Sequence, residues 1–186
     1  MEDNVVRLTG LKHLVMALVI SVTASSMFFA GAGAAPSDQA ATGLSDADKA
    51  AVLQAHNDLR QQNNVPALTW DDNLAAFAQD WANQLAASGT FQHRTPNQFG
   101  ENIWEGTAGA FKPVDAVASW AAEAQNFDLN TNTCADGQVC GHFTQLIWST
   151  TVRVGCGIAT GNGQDVIVCN YDPPGNIVGQ SPLGTP

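Results

Sequence analysis

Four cysteines constrain this chain more than any other feature, and all lie in its second half: Cys134, Cys140, Cys156 and Cys169. Whether they pair depends on where the chain goes. Arg7 and Lys12 precede the apolar stretch "LVMALVISVTASSMFFAGAG", and Ala32-Gly33-Ala34 follows as a small-x-small exit. This pattern predicts an export leader over residues 1–34, cut after Ala34, because a cut after Ala35 would leave Pro36 at the new terminus. The stretch is nearly long enough to span a bilayer, but the small-residue exit favours removal over retention as an anchor. The expectation is therefore a secreted, extracellular protein with no stable membrane anchor after cleavage. In that oxidising setting four cysteines suggest two disulfides with three possible connectivities.

Local pattern chooses among the three. "RVGCGIAT" and "QDVIVCNY" read as strands, and Gly161-Asn162-Gly163 between them reads as a turn. Cys156 and Cys169 lie at nearly equal distances on either side of that turn, so a hairpin centred near it would set them opposite each other. Cross-strand Cα separations of roughly 4.5–5.5 Å suit a disulfide. Cys134 is left to pair with Cys140, closing a short loop just before His142. A four-cysteine zinc site fits less well, for the chain has no Cys-x-x-Cys pair and oxidation would compete with the metal.

With the leader removed, about 150 residues remain, enough for one domain with a sizeable core. Residues 35–44 read as a small polar linker, and the domain covers 45–186. Hydrophobic residues make up 45% of the chain and five are tryptophans. The net charge is −10, and the seven lysines and arginines are scattered. Without a basic stripe, the chain is expected to bind neither nucleic acid nor an anionic membrane surface.

Ser45 followed by Asp48 predicts a capped start for a first helix through "ADKAAVLQAHNDLRQQN", with Val52, Leu53, Ala55 and Leu59 on one face. "DDNLAAFAQDWANQLAASG" repeats Leu74, Phe77, Ala78, Trp81 and Leu85 at helical spacing and ends at Gly89. A third helix opens at Pro113 and covers "VDAVASWAAEAQNF", and a short fourth starts near His142. "GENIWEG" and the final hairpin are the strands. Helices that precede and flank a small antiparallel sheet give an α+β class with helices on the sheet's faces.

Outside the leader there are three histidines: His56, His93 and His142. His56 lies within the first helix and reads as structural, with Asn57 and Arg60 as packing and tethering groups. His93 sits in a loop, and eight residues later Glu101 stands between a glycine and an asparagine. Glu123 follows Trp120 by three residues near an apolar face, where an unpaired acid would cost several kcal/mol. Taken singly, each reads as a surface or core-edge group. Together His93, Glu101, Glu123 and His142 form a constellation suited to Zn²⁺, with imidazole ligands and carboxylates that orient them or move a proton. After the last strand, Asn170, Tyr171 and Asp172 with Pro173 and Pro174 fix the chain's exit, since proline cannot continue a ladder.

"GHFTQLIW", "VIVCNYDPPGN" and "GENIW", combined with "HNDLR", resemble the CAP superfamily of cysteine-rich secretory proteins, venom allergens and pathogenesis-related proteins of the first class. The resemblance runs from Ser45 to Pro182, and "WAAEAQNFDLNTNTC" looks like the plant branch, with Phe127 where a tyrosine is common. It implies a three-layer α-β-α sandwich around a central antiparallel sheet, with a cleft holding His93, Glu101, Glu123 and His142. It also implies that His93 and His142 hold a divalent metal, often zinc, and it supports the Cys156–Cys169 bridge. Arg94 departs from the family's serine, and its guanidinium is expected to repel a cation or to reach Glu101.

The function implied is a secreted binding module for an apolar small molecule, a sterol or fatty acid. The alternatives are a metal-dependent hydrolase, such as a peptidase, and an extracellular effector that recognises a protein partner. Catalytic zinc usually has three protein ligands, two histidines are offered here, and there is no His-Glu-x-x-His helix or Gly-x-Ser-x-Gly turn. Binding is therefore favoured over catalysis.

Overall fold

The computed structural model describes residues 43–184. The expected leader, and all of the linker except its last two residues, lie outside them.

Helix α1 spans Asp46–Gln62, and Ser45 caps it by accepting the Asp48 amide at 3.1 Å. Strand β1 is Thr69–Trp70. Helix α2, Asp72–Ser88, is capped by the Asp71 carboxylate and closed by Gly89 at φ 65°. Strand β2 is Gly100–Thr107, and α3 is Pro113–Ala122. A two-stranded ribbon of β3, Phe127–Asp128, and β4, Thr133–Cys134, precedes α4, Gly141–Leu146. Strands β5, Arg153–Gly161, and β6, Gln164–Asp172, form the final hairpin.

The third helix stops sooner than its pattern predicts, and Glu123–Asn126 tightens into a 3₁₀ turn. None of these four side chains is buried, so no apolar stripe extends the α register. Phe127 must then turn extended to pair with Cys134.

The main sheet runs β1-β5-β6-β2. The β5–β6 and β2–β6 pairs are antiparallel, as expected, while two-residue β1 adds a parallel edge on β5 that its short sequence does not announce. Cys156 stands opposite Cys169 and is bonded to it, and Cys134 is bonded to Cys140. Both pairings match the hairpin reasoning.

The sheet separates two cores. On one face α2 packs Ala78, Ala82 and Leu85 against Ile103, Val166 and Val168. A Cβ on Gly155 would lie 2.2 Å from the Ala75 nitrogen, and one on Gly157 would lie 2.4 Å from the Gln79 Cα. Glycine on β5 is what lets α2 sit this close. On the other face α1, α3 and α4 bury Val52, Val117, Trp120, Phe143 and Leu146 against Val154, Ile167 and Tyr171. The result is the predicted three-layer α-β-α sandwich.

In α1 the deepest residues are Val52, His56 and Arg60, at i, i+4 and i+8. Leu53, Ala55 and Leu59 pack beside them, partly buried. Two polar residues can occupy the deepest stripe because each is hydrogen-bonded. Arg60 donates to the carbonyls of Pro66 at 2.6 Å and of Leu146, Trp148 and Thr151 at 2.9 Å. Burial lowers its guanidinium to about 10, still charged at neutral pH. Asn57 tethers the next segment by bonding both the N–H and the C=O of Leu68.

Candidate functional site

The six residues of α4 are too few for helix propensity alone to hold them. Its first turn is held from outside. Glu123, just past α3, accepts the His142 and Phe143 amides on Oε2 at 3.0 and 3.2 Å. The carboxylate thus satisfies amides that a helix start leaves without partners, at the end where negative charge is favoured. Its other oxygen accepts His142 Nδ1 at 2.6 Å. The His142 ring stacks over Trp120, with centroids 6.0 Å apart and planes 19° off parallel. Trp120 is itself buried and donates to the Ile103 carbonyl. The acid that the sequence places against an apolar face therefore has three partners.

The second pair sits on β2 and the loop before it. His93 Nδ1 lies 2.8 Å from Glu101 Oε1. The same oxygen accepts the Arg94 amide at 3.0 Å, and Oε2 accepts the Asn97 carboxamide at 3.2 Å. The Glu101 side chain is only 4% exposed, against 59% for His93. The hydrogen bond to Glu101, helped by its charge, raises the His93 pKa above the ordinary histidine value.

Arg94 does not act on Glu101 as expected from its sequence position. Only its main-chain N–H reaches that carboxylate. Its guanidinium turns to α2, where it donates to the Phe77 carbonyl at 3.0 Å and to Asp80 at 2.6 Å, and lies 3.8 Å over the Phe77 ring. Asp80 and the aromatic face hold the positive charge against α2.

A carboxylate only accepts, so Nδ1 carries the proton in both neutral imidazoles and Nε2 keeps its lone pair. This carboxylate–histidine arrangement is the one that orients metal-binding imidazoles. Consecutive residues on a strand point to opposite faces. On β2 Glu101 serves His93, and the next residue, Asn102, donates to the His142 carbonyl at 3.1 Å. One dipeptide on an edge strand thus joins the two His–Glu pairs. Among the described residues no cluster of three or more His, Cys, Asp or Glu is placed to hold a metal ion. Any cation here would rest on imidazoles and water.

His56 is structural, as its sequence position suggests. It is fully buried, its Nδ1 donates to the Val52 carbonyl at 2.7 Å, and its Nε2 meets the Tyr171 hydroxyl at 3.0 Å. Burial lowers its pKa to about 4. The exit after β6 is fixed by the Val152 amide on the Asp172 carbonyl and the Thr151 hydroxyl on the Pro173 carbonyl. Sequence reading singles out the glutamate of "GEN" but not Asn102. Strand alternation next to a site acid was the available signal. Asn97 carried none.

A separate groove of about 420 Å³ lies against α4, with Gly141 and Thr144 on its wall. Phe127, Trp148, Ile177, Pro182 and the Cys134–Cys140 bridge give it an apolar lining, and asparagine and glutamine side chains share the wall. Ile177 on its wall is 47% exposed, and the next residue in the chain, Val178, is 98% exposed.

The cysteine-rich secretory protein family, CAP, matches residues 53–171. Pathogenesis-related protein 1A of Nicotiana tabacum is 50% identical over 131 residues, 70% of this chain and 77% of the relative. Pathogenesis-related protein 1 of Arabidopsis thaliana is 42% identical, over 70% of this chain and 79% of the relative. Among solved structures, NaASP2 with Zn²⁺ shares the fold at a TM-score of 0.62 and 21% identity, covering 77% of this chain and 88% of its own. MpPR-1i gives 0.54 and 28% over 72% of this chain and 92% of its own. The chain belongs to the CAP family and resembles its plant pathogenesis-related branch.

Proposed function

We propose that this protein is an extracellular binding module that takes an apolar small molecule, a sterol or fatty acid, and holds a divalent cation such as Zn²⁺ between His93 and His142. The observation that carries the binding reading is how the two carboxylates are used. Glu123 holds three donors and Glu101 holds three, so both acids orient imidazoles and cap backbone instead of facing a water as a free base. That arrangement favours retention of a ligand over hydrolysis, which needs an unoccupied base beside a metal-bound water. NaASP2, solved with Zn²⁺, has the same fold. The groove beside α4 falls within the size range of small-molecule sites and combines apolar walls with a few neutral amides, which suits a largely hydrocarbon ligand with one polar end. The two disulfides suit an oxidising compartment.

The test is native mass spectrometry of the purified protein, before and after incubation with a panel of sterols and fatty acids. A one-to-one lipid complex is expected. Protein that carries no lipid and takes up none would overturn the apolar-ligand reading.

A further inference from the structure

A buried hydrogen-bond chain crosses the α1 face of the sheet and ends at the His142 carbonyl in the first turn of α4, and its direction is fixed by chemistry. The Val52 carbonyl can only accept, so His56 Nδ1 donates to it at 2.7 Å. His56 is fully buried and neutral, so its Nε2 accepts from the Tyr171 hydroxyl at 3.0 Å. The Tyr171 oxygen then accepts from Asn102 Nδ2 at 3.3 Å. The same carboxamide nitrogen has a second hydrogen, which goes to the His142 carbonyl at 3.1 Å. Tyr171 is fully buried and Asn102 is 1% exposed, so water does not substitute for these partners. Rotating the carboxamide by half a turn would set its oxygen against two acceptors, the His142 carbonyl and a hydroxyl already donating elsewhere.

We propose that Asn102 and Tyr171 are positioning residues for the cleft, fixing the first turn of α4, and with it the His142 imidazole, relative to His93. Glu123 sets the tilt of the His142 ring through Nδ1, while Asn102 sets the height of the backbone that carries it. Because Glu101 is Asn102's neighbour on β2, one strand places both histidines. Tyr171 acts one step further back by keeping the carboxamide in its donating orientation, and His56 keeps the hydroxyl turned toward itself.

As it concerns a metal cleft, the inference rests on the cation-holding reading above, but its geometric content does not. Asn102→Leu keeps the size and removes both donors without adding charge. Co²⁺ is the probe, since its visible spectrum responds to ligand geometry. Asn102→Leu is expected to weaken Co²⁺ at least about tenfold and to shift the cobalt bands. Without metal, amide exchange at His142 and Phe143 is expected to quicken about fivefold or more, with α2 unchanged. Tyr171→Phe should move both readouts the same way by a smaller factor. Wild-type exchange at His142 together with a wild-type cobalt spectrum in Asn102→Leu would overturn the inference. If the unmodified protein takes up no Co²⁺, the cation reading falls and the exchange comparison alone decides the positioning role. If Asn102→Leu does not fold, unchanged His142 exchange in Tyr171→Phe is the overturning result.

Discussion

His56 and His93 respond to acid in opposite senses, because one imidazole is sealed in the core and the other leans on a carboxylate. The folded pKa of His56 is about 4, against 6.5 for the free side chain. The unfolded chain therefore takes up the proton first. The stabilisation is whole above pH 6.5, declines as pH falls, and is gone near pH 4, on the order of 3 kcal/mol in all. His93, whose pKa is raised by Glu101, contributes below pH 6.5 and loses that contribution as pH rises through its folded value. Its exposure keeps the effect small. Urea unfolding at pH 7 and pH 4.5 should show a large loss in the wild type and a smaller one in His56→Gln. Equal losses would contradict the burial argument. At the cleft, Glu123→Gln keeps a hydrogen-bonding group but removes the charge, and Zn²⁺ affinity by calorimetry should fall about tenfold or more.

Elements show best what a sequence pattern can and cannot announce. The spacing of Cys156 and Cys169 about the Gly161–Gly163 turn gave the register of the hairpin, because period-two pairing leaves no freedom once the turn is placed. Ser45, Asp48 and Gly89 marked helix ends through local bonds that need no tertiary context. The deep face of α1 was less legible. Its apolar residues are visible in the sequence, but Arg60 is buried only because three carbonyls from a distant segment and that of nearby Pro66 converge on it. Arg60→Leu strands those carbonyls and should destabilise by about 4 kcal/mol or more, read as a large drop in thermal midpoint. Gly157 reads as a strand residue, yet its lack of a side chain is what seats α2. Gly157→Ala would press a methyl into the Gln79 backbone and should cost about 1–3 kcal/mol, measurable by denaturant melts.

Across the whole molecule, four segments supply the two His–Glu pairs and the asparagine that bonds one of them. The loop before β2 supplies His93, β2 supplies Glu101 and Asn102, the 3₁₀ turn after α3 supplies Glu123, and α4 supplies His142. His93, Glu101, Glu123 and His142 read singly as surface or core-edge groups, and only their combination and the family resemblance single them out in the sequence. Their pairing was not nameable from spacing, because His93 with Glu101 and His142 with Glu123 depends on how the edge strand and α4 pack. In the function proposed above, the two Glu-oriented imidazoles share one cation through their Nε2 atoms. Zinc-edge X-ray absorption on protein loaded with one equivalent of Zn²⁺ tests it directly. Two nitrogen ligands at about 2.0 Å are predicted, falling to one in His142→Ala and to one in His93→Ala. Zinc bound without imidazole, or with a ligand set that either substitution leaves unchanged, would contradict it.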